Sequence, residues 1–384
     1  MIRTRFIVVS LLTAGGLAFG FQTARKPDIV RNPPKPVRGE LALDLAEDLN
    51  IGDEKDENSL FSDGSFSVDA SGSIWVLDWR ECRVQKFDAN GKQVAVFGQN
   101  GQGPGDLEQP LRTCLDASGH YYVQNAGQGV ISEFDPNGIF VRRYSPDRWA
   151  QRFGILADGG FIYETFTVDE ETSTFHIRTA DRDGRVRSNI ADFPSPRMGS
   201  AKGRILAVSY YPKLQLSVRP DGAAVFGESG FYRFTVTDPR GAVVRTVEAD
   251  IPAAPLTADL KEGIIRRTLD SQSRLPASAP SLTRDEIAGA LSKLQANLPF
   301  FSRLLLDEKG YVFVERYREY DPQDDSRIYD LFDPTGTFIC RLRSPYFITH
   351  FQDGKAYRRV RIGDEGYSKI QRLKIRNWDS IASK

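Results

Sequence analysis

The 384-residue chain sets 51 Lys and Arg against 51 Asp and Glu, so it has no global positive field that would draw it to nucleic acid or to an anionic membrane. Gly (33), Pro (21), Phe (24) and Tyr (14) are plentiful, a mixture that suits short strands separated by tight turns and favours an all-β chain. Closed all-β architectures often exceed the usual domain length, so the length does not demand two domains.

At the N-terminus, Arg3 and Arg5 precede an apolar run from Phe6 to Phe19 and the small-x-small triplet Ala18-Phe19-Gly20. This layout predicts a signal peptide over 1–20 and export to the periplasm or the outside. The run falls short of the roughly 20 residues that span a bilayer. An uncleaved anchor is therefore the weaker alternative, and no membrane span is expected after cleavage. Residues 21–39 contain Pro27, Pro33, Pro34 and Pro36 and predict an extended leader ahead of the folded part. The folded part is expected over 40–376, with 377–384 as a tail. Within Glu40 to Ile51, the alternation of Leu41, Leu43 and Leu45 predicts a strand.

From residue 64 the chain repeats. DASG at 69–72 returns at 116–119, and KFDANG at 86–91 returns as EFDPNG at 133–138; both are displaced by 47 residues (116 minus 69, 138 minus 91). Each unit reads as an alternating strand, an Asp-x-x-Gly turn, a second strand such as Ile74 to Leu77, a third such as Val84 to Phe87, another Gly turn and a fourth such as Val94 to Phe97. Four strands in each 40 to 50 residues is a propeller blade. Weaker copies have turns ending at Gly159 and Gly184, Gly222 and Gly241, Gly310 and Gly336, and Gly354 and Gly366, which makes six blades. Counting back six and four places from the first turn Gly gives Phe66 and Val68, Phe153 and Ile155, Leu216 and Val218, Leu304 and Leu306, and Ile348 and His350; blade two differs with Thr113 and Leu115. Such period-two apolar faces fit packing between blades. The strand within 40–51 would then supply the outer strand of the last blade and close the ring.

Between the fourth and fifth units, from about 254 to 299, the repeat stops. Thr257 can cap a helix over Ala258 to Leu269, and Thr283 with Glu286 forms a capping box before a second, with Leu282 as its staple and Ile287, Leu291 and Leu294 on one face. This predicts a helical insertion that packs on the rim or face of the ring. The fold class is thus all-β: a six-bladed propeller of four-stranded blades with one helical insertion.

The first two units resemble NHL repeats. Asp78-Trp79-Arg80-Glu81-Cys82-Arg83-Val84-Gln85-Lys86-Phe87 is similar to that family's strand-turn-strand core, and FGQNGQGPGDLEQP at 97–110 to its inter-blade linker. The resemblance covers residues 64–144 and implies a TolB-like six-bladed ring. It implies no activity, since the family ranges from binding platforms to lyases.

Three cysteines permit one disulfide at most. Cys82 and Cys114 are the candidate pair, against the simpler expectation of three small buried side chains. His120, His176 and His350 map to different strand positions, so a zinc site of the kind in NHL-fold amidating lyases is not expected. A lactonase-like calcium site needs many oxygen ligands, and the candidates at matching strand ends are Asp78, Asn125, Glu164, Glu228 and Glu315; alternatively, such residues tie down their own turns. No cofactor is favoured, and calcium is the alternative. Seven places before the first turn Gly stand Ser65, Arg112, Arg152, Gln215, Arg303 and Phe347. The three arginines could ring the channel mouth and bind carboxylate or phosphate, or each could pair with a carboxylate of a neighbouring blade. Trp79, Tyr210, Tyr211, Tyr317 and Tyr320 would share that face. No nucleophile-elbow, Walker, Rossmann or Cys-x-x-Cys pattern occurs. The favoured function is a non-enzymatic, exported module that binds a protein, peptide or glycan. The alternative is a metal-dependent lyase or lactonase-like hydrolase, and RNA binding is disfavoured by export and neutral charge.

Overall fold

A computed structural model of the chain describes residues 27–52, 61–62, 64–145, 150–169, 172–196, 200–201, 204–205, 210–272, 281–292, 295–319, 324–362 and 366–382. The signal peptide expected over 1–20 lies outside the described residues. Six four-stranded antiparallel units follow one another along the chain. The first comprises Gly64–Val68, Ile74–Asp78, Arg83–Phe87 and Gln93–Phe97, and the second Pro110–Leu115, Tyr121–Asn125, Val130–Phe134 and Phe140–Tyr144. The third has longer strands, Arg152–Ile155, Phe161–Val168, Thr172–Ala180 and Val186–Pro196. The fourth is Leu214–Val218, Ala224–Glu228, Arg233–Thr237 and Val243–Ala249, and the fifth Phe301–Leu306, Val312–Arg316, Arg327–Phe332 and Phe338–Ser344. In the sixth, His350–Gln352, Lys355–Ile362 and Tyr367–Ile375 take their outer strand, Leu45–Ile51, from the N-terminal side of the chain. The first strands of successive units pack side by side from blade one to blade six. The molecule is an all-β, six-bladed propeller.

The turns explain why the repeat is visible in the sequence. In eight Asp-x-x-Gly turns the Asp Oδ1 accepts the amides of residues two and four places on, at 2.7 to 3.0 Å. The Gly that ends each turn is in the left-handed region: all twelve, from Gly72 to Gly366, have φ between +65° and +94°. A Cβ is disfavoured there, so the glycines recur.

An aromatic pair crosses every seam of the ring. Trp75 stacks on Tyr121 at 5.1 Å between ring centroids, Tyr144 meets Phe161 at 5.1 Å, and Phe193 meets Phe226 at 6.3 Å. Phe234 and Phe332 lie 5.1 Å apart, Phe313 and Phe351 stack at 3.9 Å, and Phe66 with Tyr357 closes blade one on blade six at 6.5 Å. Burying one such ring is worth roughly 1.5–3 kcal/mol, so the core is distributed around the ring and is not central.

The N-terminal segment does more than close the last blade. Asp28–Asn32, within the segment read as a leader, pairs in parallel with Val243–Ala249 on the fourth blade, and Glu40–Ala42 pairs in parallel with Phe338–Ser344 on the fifth. The strand expected over Glu40 to Ile51 is therefore two strands. They break where Leu43 turns into the core and Asp44 takes the Arg376 guanidinium at 2.9 Å. At the other end, residues 378–382 of the expected tail form a short helix whose Trp378 packs 5.8 Å from Tyr311 and 6.0 Å from Phe313.

Helices α1 (Ala258–Gln272) and α2 (Arg284–Leu291) lie in the chain after Val243–Ala249 and before Phe301–Leu306. Thr257 Oγ1 accepts the Leu260 amide at 3.3 Å, and the Thr283–Glu286 capping box forms in both directions. Ile287, Leu291 and Leu282 are buried in a small core with Tyr210, Tyr211 and Ile264; Leu294 lies outside the described residues. The cysteines are all free, so the candidate Cys82–Cys114 disulfide is not formed. Cys82 belongs to the core between blades one and two, whereas Cys114 packs against the core between blades two and three. Among the described residues no helix is long and apolar enough to cross a membrane.

Candidate functional site

The repeat position that carries Arg in three blades has a partner position on the next strand. Arg152 stands opposite Glu164 and Arg303 opposite Glu315 in the sheet register. Arg152 Nη1 donates to Glu164 Oε2 at 2.7 Å, and Arg303 Nε donates to Glu315 Oε2 at 2.6 Å. Each Arg thus pairs within its own blade, not with a neighbouring blade as the alternative expected. Blade two breaks the pattern, because Gln124 occupies the place of Glu164 and Glu315. Gln124 spends its amide on the Ala150 carbonyl at 2.7 Å. Among the described residues Arg112 has no hydrogen bond or ion pair. It is exposed, yet loss of water and the charge of Arg152 lower its pKa, opposed by Glu164.

Arg152 also donates to the Leu214 carbonyl at 3.3 Å, which ties blade three to the start of blade four. The residue before Leu214 is Lys213. Its backbone amide is held by Ser229 Oγ at 2.9 Å, while its ammonium has no partner among the described residues. Desolvation and the nearby Arg152 both lower its pKa. Successive blades thus contribute Arg112, Arg152 and Lys213 to one cationic arc, with Glu164 as its acid.

The arc opens into a cavity of about 800 Å³. Its walls are the strand ends of blades four and five, with Lys213, Arg303, Glu315 and Tyr317, roofed by α1 through Ile264 and Arg267. Arg267 Nη2 donates to the Tyr210 hydroxyl at 2.9 Å, and that hydroxyl donates to Glu319 at 3.2 Å, so α1 is latched to the ring by a polar chain. A smaller cavity of about 290 Å³ shares Tyr317, Arg318 and Arg327 with the first and adds Arg316 and Arg343. Of the residues expected to form a ligand site, Arg303, Tyr211 and Tyr317 line the main cavity. Arg152 and Arg112 continue from it through Lys213. Trp79 does not line it; it sits 37% exposed on blade one. Tyr320 lies outside the described residues. Lys213 and Arg267 carry no signal in the sequence that marks them for this site. Lys213 precedes its strand by one residue and so falls outside the repeat position, and Arg267 is one of several polar residues on an insertion helix.

The five oxygen ligands considered for a metal are engaged separately. Asp78 accepts the amides of Ser62, Arg80 and Glu81, each at 3.2 Å, and so ties its own turn. Asn125 accepts the Glu108 amide at 2.5 Å and donates to the Asp106 carbonyl at 3.1 Å, which fixes the linker between blades. Glu315 is shared by Arg303 and by Arg327 at 3.4 Å. Glu228 is raised in pKa by burial, opposed by the Gly230 amide at 3.0 Å, and burial likewise raises Glu164 against the pull of Arg152. Among the described residues no group of three or more His, Cys, Asp and Glu is gathered for a metal.

The histidines stay apart. His120 Nδ1 meets Glu133 at 2.6 Å, and His350 Nε2 meets Gln352 at 3.0 Å. His176 joins Asp192 at 2.6 Å and Thr167 at 2.9 Å. That row has the spacing of a nucleophile, base and acid, but it lies across three long strands of blade three and none of its members lines the cavity.

No family model matches the chain, and no curated relative matches it. Solved structures do. A Bacteroides fragilis protein provisionally named as exported aligns at 12% identity and a TM-score of 0.55, over 91% of this chain and 99% of its own. A member of the DUF4221 family from Bacteroides vulgatus aligns at 13% identity and a TM-score of 0.49, over 87% of this chain and 98% of its own. Regucalcin, a calcium-binding protein from Agrobacterium tumefaciens, aligns at 12% identity and a TM-score of 0.41, over 90% and 97%. At such identities the likeness to the first of these concerns the fold, which is the six-bladed ring.

Proposed function

We propose that this chain is an exported, non-enzymatic binding module that takes a protein, peptide or glycan ligand at the face where α1 covers the ring. The observation that carries this reading is the cavity of about 800 Å³ between α1 and blades four and five, a volume in the range of sites that enclose small ligands or short chain segments. Its buried carboxylate, Glu315, is already held by two guanidiniums, which occupies that acid and supports binding over a hydrolase or lyase role for it. Arg3, Arg5 and the apolar run that follows support export, and so does the provisional name of the Bacteroides fragilis neighbour. Within the propellers we group the chain with NHL-repeat and TolB-like rings on the motifs at 78–87 and 97–110.

The test is a screen of the full chain against arrayed glycans and peptides, repeated with Thr268→Trp, which fills the cavity from α1. A ligand retained by the native chain and lost with the filled cavity supports the proposal. Binding that ignores the substitution, or turnover of any retained ligand, overturns it.

A further inference from the structure

The chemistry of the cavity restricts what it can hold. Five of its lining residues are cations and two are carboxylates, while seven carry hydroxyls. The apolar lining is limited to Ile264, Pro299, Phe301 and Phe347, and the face of Phe347 is already covered by the Arg303 guanidinium at 4.1 Å. Pockets for apolar ligands have the opposite balance. A ligand that replaces water here must itself be rich in hydroxyls and negatively charged, because each polar group it fails to satisfy costs desolvation without return.

The unspent groups show where the charge belongs. Arg303, Arg318 and Arg327 already hold carboxylates or carbonyls of this chain. Lys213 and Arg112 hold nothing among the described residues. They flank Arg152, whose one acid partner among the described residues is Glu164, so three cations face one carboxylate there. Tyr317, whose hydroxyl likewise has no hydrogen-bond partner among the described residues, stands on the far wall and borders the second cavity, where Arg316 is held by Asp330 and Arg343 by Glu40. The unspent positive charge therefore lies at the Lys213 end of the cavity, and hydroxyls, Tyr317 among them, line much of the rest.

Resting on the binding reading above, we infer that the ligand is a short acidic oligosaccharide, a chain of uronic acid units, with Lys213 taking one carboxylate in the cavity, Arg112 adding positive charge beyond Arg152, and the hydroxyl-lined wall taking the sugar ring. The lowered pKa of Lys213 accords with this, since an anion at that place would relieve the repulsion from Arg152.

The experiment is calorimetric titration of the full chain with galacturonate trimer, with the neutral galactose trimer, with citrate and with glutamate tripeptide. The expected result is binding of the galacturonate trimer, weakened about tenfold by Lys213→Ala and weakened again when salt is raised from about 0.05 M to about 0.5 M. Arg112→Gln should act in the same direction. Both residues are exposed, and an unchanged melting temperature would show that neither variant is misfolded. Citrate bound as tightly as the trimer would overturn the oligosaccharide, as would equal binding of the neutral trimer or tighter binding of the peptide. If the screen yields a ligand that Thr268→Trp blocks and that ligand is uncharged, this inference fails while the binding function stands. If no ligand is blocked, both fail.

Discussion

The Arg303 guanidinium lies 2.6 Å from Glu315 on the neighbouring strand, and Arg327 reaches the other oxygen of the same carboxylate at 3.4 Å. Glu315 is 4% exposed, whereas the two arginines keep 24% and 15%. Removing the acid would leave two guanidiniums facing each other across a cavity wall. Glu315→Ala is expected to lower stability by about 3 kcal/mol, and Glu315→Gln, which keeps an acceptor, by less. Chemical denaturation of the two variants checks this. A loss under about 1 kcal/mol for the Ala variant would show that water alone can compensate these cations.

What the sequence revealed follows from how local each signal is. The turn glycines were legible because a left-handed φ admits few other residues, and the Arg position was legible because the same register recurs in each blade. Register also explains Arg112: the substitution of Gln124 for an acid is visible in the repeat alignment, and it predicts the unpaired cation. The strap formed by Asp28–Asn32 and Glu40–Ala42 was not legible, since its partners lie more than two hundred residues away and parallel addition to an outer edge needs no special residues. The roof over the cavity was half legible. Caps announced α1 and α2, but nothing local says that Arg267 would reach Tyr210.

Asp307 gives the chain a stability that depends on pH in an unusual direction. Its carboxyl is pushed up to about 7, first by burial and then by the charge of Glu308, against the amides of Tyr311, Lys309 and Gly310. Because the folded value is raised, the native state binds the extra proton. Its contribution is full below the ordinary carboxylate range and is lost as pH rises through about 7. Asp307→Asn keeps the acceptor that the turn uses and removes the charge. Its melting temperature should exceed that of the native chain at pH 8 and match it at pH 4. A variant that is equally displaced at both values would mean that the carboxylate is not titrating in this window.

The three thiols are expected to be slow rather than absent. Burial raises the pKa of all three and takes Cys340 to about 12, so little thiolate is present to react. A thiol reagent at pH 8 should label the folded chain slowly and should find all three cysteines after denaturation without reductant. Recovery of a single thiol would instead mean that two of the three cysteines are joined in a disulfide.

Asn32 shows how the strap holds two blades at once. Its Nδ2 donates to the Glu248 carbonyl at 3.2 Å on blade four and to the Gly336 carbonyl at 2.9 Å on blade five, while its Oδ1 accepts the Phe338 amide at 2.8 Å. The side chain is 8% exposed, so truncation leaves buried donor and acceptor groups without partners. Asn32→Ala should therefore cost about 1–3 kcal/mol, and Asn32→Asp should cost more, because the two carbonyls would then face an anion. The loss should fall on the outer seam between blades four and five before the rest of the ring. Hydrogen exchange checks this: amides of Val243–Ala249 and Phe338–Ser344 should lose protection first, while those of blade one keep theirs. Uniform loss around the ring would mean that the blades unfold as one unit and that the strap is only one contact among many.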